Sequence, residues 1–454
     1  MNDVFIDLAE HLRALLSQGP PLSTRQLQSA TGKSQPSISL ALANLGRDVH
    51  QLGAARSTRY ALTQSILGLD ATQPVHLAAP YADAGLFGTL TFLQGDQVHA
   101  RGPRRSEWLV QRTLPWWLSS LRPQGFLGRQ YTQLRPDFAA DPDQWTLPQV
   151  LYLAANHIAD PPGAFSIGQP ATASEGLDGS ITPQDRGLAF DRLAGAAIGT
   201  LPAGSSAGGE QPKFLARVGD AYIIVKYSPP RGTPFGERWH DLLQLEHLAN
   251  EVLRDNGIAA AQTQLVHTPR RTYLQSTRFD RVNVTGRAGV AGLAGAPGKR
   301  HVVAASAVHD EFVKSPRRHW VATCEALVQQ KMLASEHLKT VACAYLFGQY
   351  IGNTDMHFGN LSFFVDDVTK PALLPTPVYD MLPMMWRPGV HDGALDAAPL
   401  KPPMQPAGFE PQALLARAWA THFWERAAQL PTLSEALRGA SAICATRLKS
   451  NFTE

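Results

Sequence analysis

GNTDMHFGN, residues 352–360, lies between two apolar segments, a predicted helix over 341–351 and a predicted strand over 361–365. Asp355 and Asn360 are five residues apart in this loop. Phosphoryl transfer to a hydroxyl needs a carboxylate that orients the hydroxyl and accepts its proton, and oxygen ligands that hold magnesium against the phosphates. Because one residue pair at this spacing supplies both, the loop predicts a phosphoryl-transfer site.

A second acidic loop, PVYDM at 377–381, follows after another predicted strand. Asp380 is placed to be the second magnesium ligand, which is the role of the DFG aspartate in protein kinases. Neither DFG nor HRD occurs in the chain, and this excludes an ordinary eukaryotic protein kinase. Taken alone, Asp355 also fits a turn former, Asp380 a loop cap, and His357 a core histidine or a metal ligand. The order of the motifs favours phosphoryl transfer.

Glycine and serine cluster in LPAGSSAGGEQPK, residues 201–213, which leads into a predicted hairpin with strands over 214–218 and 222–226. Glycines let backbone N–H groups approach phosphate oxygens, and Lys226 on the second strand adds positive charge. No GK[ST] sequence opens a helix here, so the loop is not a Walker A motif. The segment predicts a phosphate-binding loop, and the alternative is a solvent-exposed flexible loop.

Residues 1–62 form a segment with its own pattern. A capping-box sequence, STRQ at 23–26, precedes a short predicted helix, and Ser34 can cap another over 35 to about 45. An alternating pattern around a glycine predicts a hairpin over 49–62. Three helices and a basic hairpin are typical of a winged helix-turn-helix, whose third helix enters the major groove of DNA.

Charge supports DNA binding by this segment, because six basic residues stand against one acid over 11–62. Polar side chains on the third helix are expected to contact base edges, and basic side chains to contact phosphates. Phosphate contacts position the protein on the duplex without determining which base sequence it binds. The predicted base contacts are Gln35, Ser37, Ser39 and Asn44, and the predicted phosphate contacts are Lys33, Arg47, Arg56 and Arg59. The alternative is a small helical module that binds protein.

Composition fits a globular chain of several domains. Of 454 residues, 44% are hydrophobic and 17% charged, with a formal net charge of +3, which excludes an intrinsically disordered chain. Three widely spaced cysteines exclude a disulfide scaffold and a cysteine-rich zinc site, and they fit a reducing cytoplasm. No apolar run approaches the roughly 18–20 residues that span a bilayer, and the N-terminus is unlike a signal peptide. We expect a cytoplasmic protein without a membrane partner.

The combined motifs resemble the HipA family of bacterial serine/threonine kinases, the toxins of toxin–antitoxin modules. Besides the loops above, the resemblance rests on TRFDR at 277–281, and it covers roughly residues 75–450. The N-terminal segment resembles the YjjJ (HipH) type, which carries a DNA-binding domain on the same chain. The resemblance implies an α+β fold, in which a winged helix-turn-helix precedes a two-lobed kinase with a mostly helical C-terminal lobe. The predicted domains are the winged helix-turn-helix at 1–65, a HipA-like N-terminal subdomain at 66–195, a β-rich nucleotide-binding part at 196–282 and the helical lobe at 283–454.

The resemblance also implies the cofactors ATP and Mg²⁺ and the residues that bind them. The loop over 207–213 would cover the phosphates, Lys226 would contact the α- and β-phosphates, and residues 275–279 would face adenine. Glu246, in preference to Glu251, would brace the lysine. The implied ATP contacts are Ala207, Gly208, Gly209, Glu210, Gln211, Lys213, Lys226, Gln275, Thr277, Phe279 and Tyr379.

Catalytic roles follow from the same resemblance. Asp355 would be the catalytic base, with His357 and Asn360 beside it, and Asn360 and Asp380 would hold Mg²⁺. Ser205 would be autophosphorylated, and a phosphate there would hold the loop away from the nucleotide.

Three departures from the family pattern bear on activity. Gly359 stands where the family usually has a lysine, so one cation is missing beside the γ-phosphate. The phosphate loop is one residue longer than the common version. Thr277 replaces a common glutamate, and adenine contacts would then run through the backbone.

The sequence as a whole predicts a kinase toxin with a fused DNA-binding domain that autoregulates or neutralises it. The resemblance implies an aminoacyl-tRNA synthetase or translation factor as substrate, an antitoxin as a partner, and a homodimer on paired half-sites. Two alternatives stay open: a DNA-binding regulator with a degenerate kinase fold, and a DNA-directed enzyme such as a nuclease. A small-molecule kinase rests on fold analogy alone.

Overall fold

The structure is a computed structural model, and it describes residues 2–78, 84–158, 160–170, 180–199, 211–282, 298–389, 400–403 and 406–450. The chain divides into two units, one of residues 1–122 and 143–173 and the other of residues 123–142 and 174–454. Both units mix helices with antiparallel sheets. Over the described residues, no helix combines the length and hydropathy needed to cross a membrane.

The first unit begins with three helices and a small antiparallel sheet. These elements are α1 (Asn2–Leu16), β1 (Leu22–Ser23), α2 (Thr24–Thr31), α3 (Gln35–Leu45), β2 (Val49–Leu52) and β3 (Arg59–Leu62), and the strand order is β1-β3-β2. The predicted capping box is confirmed, because the Ser23 N–H donates to Gln26 Oε1 at 2.9 Å and the Gln26 N–H donates to Ser23 Oγ at 3.3 Å. Leu12, Leu27 and Ile38 are fully buried in the shared core of this segment.

A five-stranded antiparallel sheet forms the rest of the first unit. The next elements along the chain are β4 (Thr72–Leu77), β5 (Gly85–Leu93), β6 (Gln97–Arg101), β7 (Glu107–Gln111), α4 (Gly125–Gln130), α5 (Leu147–Asn156) and β8 (Phe165–Ile167). The strand order is β7-β6-β5-β4-β8, and α4 belongs to the second unit. Trp117 is fully buried, with its ring 5.0 Å from that of Trp108 and 4.7 Å from that of Phe165. This cluster is part of the core.

Hydrogen bonds join the N-terminal elements to the five-stranded sheet. The Gln94 N–H donates to the Leu62 carbonyl oxygen at 2.9 Å, and the Gly53 N–H donates to Glu107 Oε2 at 3.0 Å. These bonds cross the predicted boundary at residue 65, so the two segments share one unit. The division into four domains stays a prediction.

The second unit contains a four-stranded antiparallel sheet packed beside a long helix. Its elements are α6 (Arg186–Gly199), β9 (Lys213–Val218), β10 (Ala221–Tyr227), α7 (Pro234–Asp255), β11 (Thr263–His267), β12 (Thr272–Thr277) and β13 (Arg281–Val282). The strand order of the sheet is β11-β12-β10-β9. The predicted hairpin is confirmed as β9 and β10, which turn at Gly219 with a φ of +55°.

The remainder of the second unit is mostly helical, with one small antiparallel sheet. Its elements are β14 (Gly298–Lys299), β15 (Val302–Ala304), α8 (Ala305–Val308), α9 (Trp320–Gln329), α10 (Ser335–Tyr350), β16 (Ser362–Val365), β17 (Leu373–Pro375), α11 (Glu410–Gln429) and α12 (Glu435–Lys449). The helices α7, α10, α11 and α12 share one apolar core, in which Leu245, Phe347, Phe423 and Trp424 are fully buried. This core holds the loop over 352–360 between α10 and β16.

A half-buried histidine, His50, paired with the buried His99, makes the stability of the first unit depend on pH. His50 Nε2 lies 2.8 Å from His99 Nδ1, and burial, together with His99 and Arg101, lowers the pKa of His50 to about 4 from an ordinary 6.5. Between these values the unfolded chain binds more protons than the folded one, so stability falls as the pH drops from 6.5 towards 4. We expect the free energy of unfolding, measured in urea at pH 7 and pH 5, to fall less with pH in His50→Gln than in wild type.

An exposed histidine in the second unit provides the control. His422 is exposed, so His422→Gln should keep the wild-type difference between the two pH values. Equal pH dependence in His50→Gln and wild type would contradict the prediction.

Candidate active site

Lys226 on β10 lies between two carboxylates of the second unit. Its Nζ is 2.6 Å from Glu246 Oε1 on α7 and 2.5 Å from Asp380 Oδ1 in the loop after β17. Lys226 is 9% exposed and Glu246 is 3% exposed. A buried charge is tolerated when it is paired and hydrogen-bonded, so these contacts fix three chain segments around one ammonium group.

The pKa values of the three groups follow from burial and from this pairing. Burial alone would raise the pKa of Asp380, but Lys226, with Lys213 as the next contributor, lowers it to about 2. Burial alone would lower the pKa of Lys226, but Asp380 and Glu246 raise it above its usual value. Burial raises the pKa of Glu246, against the opposing effect of Lys226. The ammonium and the Asp380 carboxylate are therefore both charged at neutral pH.

Glu246 and Glu251 of α7 were both candidates to brace Lys226, and their partners in the structure distinguish them. Glu246 contacts Lys226, whereas Glu251 pairs with Arg426 of α11 at 2.8 Å. Glu246 is therefore the residue that braces Lys226, as expected. Its second oxygen, Oε2, is buried without a hydrogen-bond partner among the described residues.

Asn353 ties the loop over 352–360 to the loop that carries Asp380. The Asp355 N–H donates to Asn353 Oδ1 at 3.0 Å, and Asn353 Nδ2 donates to the Asp380 carbonyl oxygen at 3.2 Å. Asn353 is 3% exposed, so both bonds are shielded from water. The sequence predicted no role for this residue, because an asparagine after a helix is an ordinary turn former. The one available signal was its position at the start of the motif.

Asp355 and His357 point towards solvent on this loop. Their side chains are 49% and 60% exposed, and His357 Nε2 lies 3.8 Å from Asp355 Oδ1. Asn360 Nδ2 donates to the Asp355 carbonyl oxygen at 2.8 Å, and the Gly359 N–H donates to His357 Nδ1 at 2.9 Å. Trp320 Nε1 donates to the His357 carbonyl oxygen at 3.1 Å. The loop is thus rigid in its backbone and accessible at Asp355.

Tyr379 joins the same two loops from the other side. Its hydroxyl donates to the Gly359 carbonyl oxygen at 2.7 Å and lies 2.7 Å from Ser362 Oγ. The next residue, Asp380, has a φ of +55°, which is a sparsely populated conformation for a residue with a side chain. The ring of Phe279 lies 5.8 Å from that of Tyr379.

The TRFDR segment is an ion cluster that positions Phe279. Arg278 contacts Asp280 with two bonds, at 3.0 and 2.8 Å, and Arg281 Nη1 lies 2.8 Å from Asp280 Oδ2. All three charged residues are buried. The segment therefore fixes the backbone directly after β12, the strand that carries the predicted adenine contacts Gln275 and Thr277.

The other predicted ATP contacts are only partly described. Ser205, Ala207, Gly208, Gly209 and Glu210 lie outside the described residues. Gln275 is buried with its Oε1 unpaired among the described residues, and the Nε2 of half-buried Gln211 is likewise buried and unpaired. Lys213 is half-buried, and Thr277 is exposed.

Mg²⁺ fits the oxygen ligands that the two loops present. Within the described ranges, no group of three or more His, Cys, Asp or Glu residues is arranged to hold a metal ion. Mg²⁺ is commonly bound through one or two carboxylates together with substrate phosphates and water, so a dedicated cage is not required. Asp380, charged and partly exposed, and Asn360 supply hard oxygen donors of this kind.

The residues predicted to contact DNA lie on the surface of the first unit, with one exception. The exposed ones are Lys33, Gln35, Ser39, Asn44, Arg47, Arg56 and Arg59. Ser37 is half-buried, and its hydroxyl lies 2.9 Å from Ser34 Oγ at the N-terminus of α3. Its side chain is therefore engaged at the helix cap.

Known families match two parts of the chain. Residues 205–443 match the family described as the HipA-like C-terminal domain, and residues 69–175 match that described as the YjjJ-like toxin, middle domain. Toxin YjjJ of Escherichia coli (strain K12) is 33% identical over 446 residues, which cover 94% of each chain. The chain belongs to the HipA-like toxins of the YjjJ type.

Solved structures place this HipA-like toxin in a known fold. HipA of Shewanella oneidensis MR-1, solved with HipB and its operator DNA, aligns over 84% of this chain and 96% of its own, with a TM-score of 0.51 and 19% identity. That likeness supports the mixed α/β fold of HipA. The proinflammatory kinase CtkA of Helicobacter pylori aligns over 55% of this chain and 91% of its own, with 12% identity and a TM-score of 0.36, which is too low to establish a common fold.

Asn353 should stabilise the second unit. We expect Asn353→Ala to lower the free energy of unfolding by about 1–3 kcal/mol, because it leaves the Asp355 N–H without its acceptor and the Asp380 carbonyl oxygen without its donor. Urea denaturation measures the change. Asn256→Ala is the matched control, since the exposed Asn256 side chain also donates to a backbone carbonyl, that of Val252 at 2.8 Å. An effect of Asn353→Ala no larger than that of the control would refute this role.

Proposed function

We propose that this HipA-like toxin is an ATP- and Mg²⁺-dependent serine/threonine protein kinase. The observation that carries the proposal is the position of Lys226 Nζ, 2.6 Å from Glu246 and 2.5 Å from Asp380. A strand lysine paired with a helix glutamate beside a metal-binding aspartate is the arrangement that phosphoryl transfer by protein kinases requires. Asp355 and Asn360 stand on the neighbouring loop, which Asn353 joins to Asp380.

Each residue has a role that its position supports. ATP with Mg²⁺ supplies the γ-phosphoryl group for transfer. Asp355 orients the acceptor hydroxyl and accepts its proton, since its carboxylate is exposed on a fixed backbone. Lys226 contacts the phosphates, and Asp380 and Asn360 hold the metal. Gln275, with its buried and unpaired Oε1, and Phe279 contact the adenine end.

The glycine-rich loop and its serine extend this proposal. Residues 207–213 cover the phosphates, with Lys213 as the first residue of β9 and Gln211 two residues before it. Phosphate on Ser205 holds the loop away from the nucleotide and so limits the activity.

The N-terminal segment is proposed to be a winged helix-turn-helix that binds operator DNA. Three helices, with one face of α3 exposed, and a hairpin support it, as do Lys33, Arg47, Arg56 and Arg59, which are exposed and form no ion pair with another described residue. The relative from Shewanella oneidensis was solved with HipB and operator DNA, which favours an antitoxin and DNA as partners here too. The protein substrate is proposed to belong to the translation machinery, and the toxin to act as a dimer on paired half-sites.

A second candidate function is a DNA-binding regulator with an inactive kinase fold. It is favoured by Gly359, which lacks the cation of the family pattern. An added Cβ there would lie 2.7 Å from His357 Cε1, so a longer side chain requires the exposed His357 ring to move. The two candidates differ in whether phosphate is transferred at all.

Labelled phosphate transfer tests the kinase proposal. We expect wild type with Mg²⁺ and γ-labelled ATP to label serine or threonine in itself or in lysate proteins, and Asp355→Asn to lower the rate by about 10²–10⁴-fold. Asp220→Asn is the control, because the Asp220 side chain is 94% exposed in the turn between β9 and β10. Equal labelling by wild type and Asp355→Asn would refute the proposal.

Substitutions at Gly359 distinguish a slow kinase from an inactive kinase fold. We expect Gly359→Lys to raise the transfer rate by about ten-fold or more, because it adds a cation beside the transferred phosphoryl group. His357 is 60% exposed and can move aside. Gly359→Ala introduces the same Cβ without the charge and should leave the rate unchanged or lower it. A rate in Gly359→Lys no higher than in Gly359→Ala would contradict this account.

A further inference from the structure

The exposed face of α3 carries no charged side chain. Ile38, Ala41, Leu42 and Leu45 face the core, and the opposite side of the helix presents Gln35, Pro36, Ser39, Leu40, Ala43 and Asn44. At 100° per residue, Pro36, Leu40 and Ala43 occupy the centre of that face, with Gln35 and Asn44 at its two edges. Leu40, at the centre of the face, is 49% exposed.

The chemistry of this face selects among base pairs. In the major groove, arginine and lysine recognise guanine, asparagine and glutamine recognise adenine, acidic residues accept from cytosine, and apolar groups contact the thymine methyl. The face offers two amides and three apolar side chains, and it offers neither a cation for guanine nor a carboxylate for cytosine. Ser39 is compatible with any base pair.

Charges around the face suit DNA better than a protein partner. Lys33, Arg47, Arg56 and Arg59 are exposed, and none of them forms an ion pair with another described residue. Asp48, the one acid between residues 11 and 62, is already paired with Arg13 at 2.7 Å. An uncharged centre with free cations at its rim complements base edges flanked by phosphates.

We propose that α3 reads A·T base pairs, with Gln35 and Asn44 on adenines and Leu40 and Ala43 against thymine methyl groups. The inference rests on the proposed DNA binding and adds the class of sequence that is recognised. The phosphates are contacted by Lys33, Arg47, Arg56 and Arg59. These contacts raise the affinity for DNA without determining which base sequence is bound.

Selection from a random duplex library by the full-length protein tests the base preference. The inference predicts that the enriched sites share A·T pairs at the contacted positions. Enrichment of G·C pairs, or binding with no preference, overturns the inference and leaves DNA binding intact. Absence of binding even at low salt overturns DNA binding and the inference together.

Replacing thymine by uracil in the selected site isolates the methyl contact, because only the C5-methyl group is removed. We expect wild type to bind the uracil site about four-fold more weakly for each methyl group that Leu40 contacts. Leu40→Ala should lose most of this difference. Leu415→Ala is the matched control, since Leu415 is also a helical leucine with 49% exposure and lies in α11.

Two further outcomes decide the matter. Arg47→Ala should weaken all duplexes alike and reduce the slope of log affinity against log salt by about 0.9. If Leu40→Ala changes self-association of the protein and leaves the thymine-to-uracil ratio unchanged, the face is a protein contact and the inference is wrong.

Discussion

The pairing of Lys226 with Glu246 and Asp380 is the interaction on which the second unit depends. Lys226 is 9% exposed, and its charged ammonium group is tolerated in this position because carboxylates replace the water that it has lost. Its partners come from α7 and from the loop after β17, so the sheet, the long helix and the helical part must meet in one arrangement. Two of these groups, Lys226 and Asp380, are those that a phosphate and a metal ion would contact. Stability and chemistry therefore share one set of atoms.

The loops beside this lysine are held mainly through their backbones. Asn353 and Tyr379 bond to carbonyl and N–H groups, and this leaves the Asp355 carboxylate exposed and the Asp380 carboxylate paired with Lys226. Asp380 adopts a φ of +55°, and such conformations cluster at functional sites because surrounding bonds maintain them. The arrangement is that of a site prepared before its ligand binds.

Local patterns predicted much of this architecture. The capping box at Ser23, the hairpin of β9 and β10, and the helix before Gly352 depend on neighbouring residues, so the sequence was sufficient. Contacts between residues far apart in the sequence were harder to predict, because the hydrophobic periodicity of α7 cannot reveal that Glu251 pairs with Arg426. Asn353 was missed for the same reason, since its partner Asp380 is 27 residues away. Family resemblance, and not spacing, supplied most of the ligand roles.

The central claim is that Lys226, Asp380 and their neighbours form a site for ATP with Mg²⁺. Calorimetric titration of wild type and Asp380→Asn with ATP, with Mg²⁺ and with chelator, tests it most directly. Wild type should bind ATP more tightly with Mg²⁺ than without, and Asp380→Asn should lose that difference because its metal ligand is gone. Absence of ATP binding to wild type, or an equal effect of Mg²⁺ on both proteins, would contradict the account.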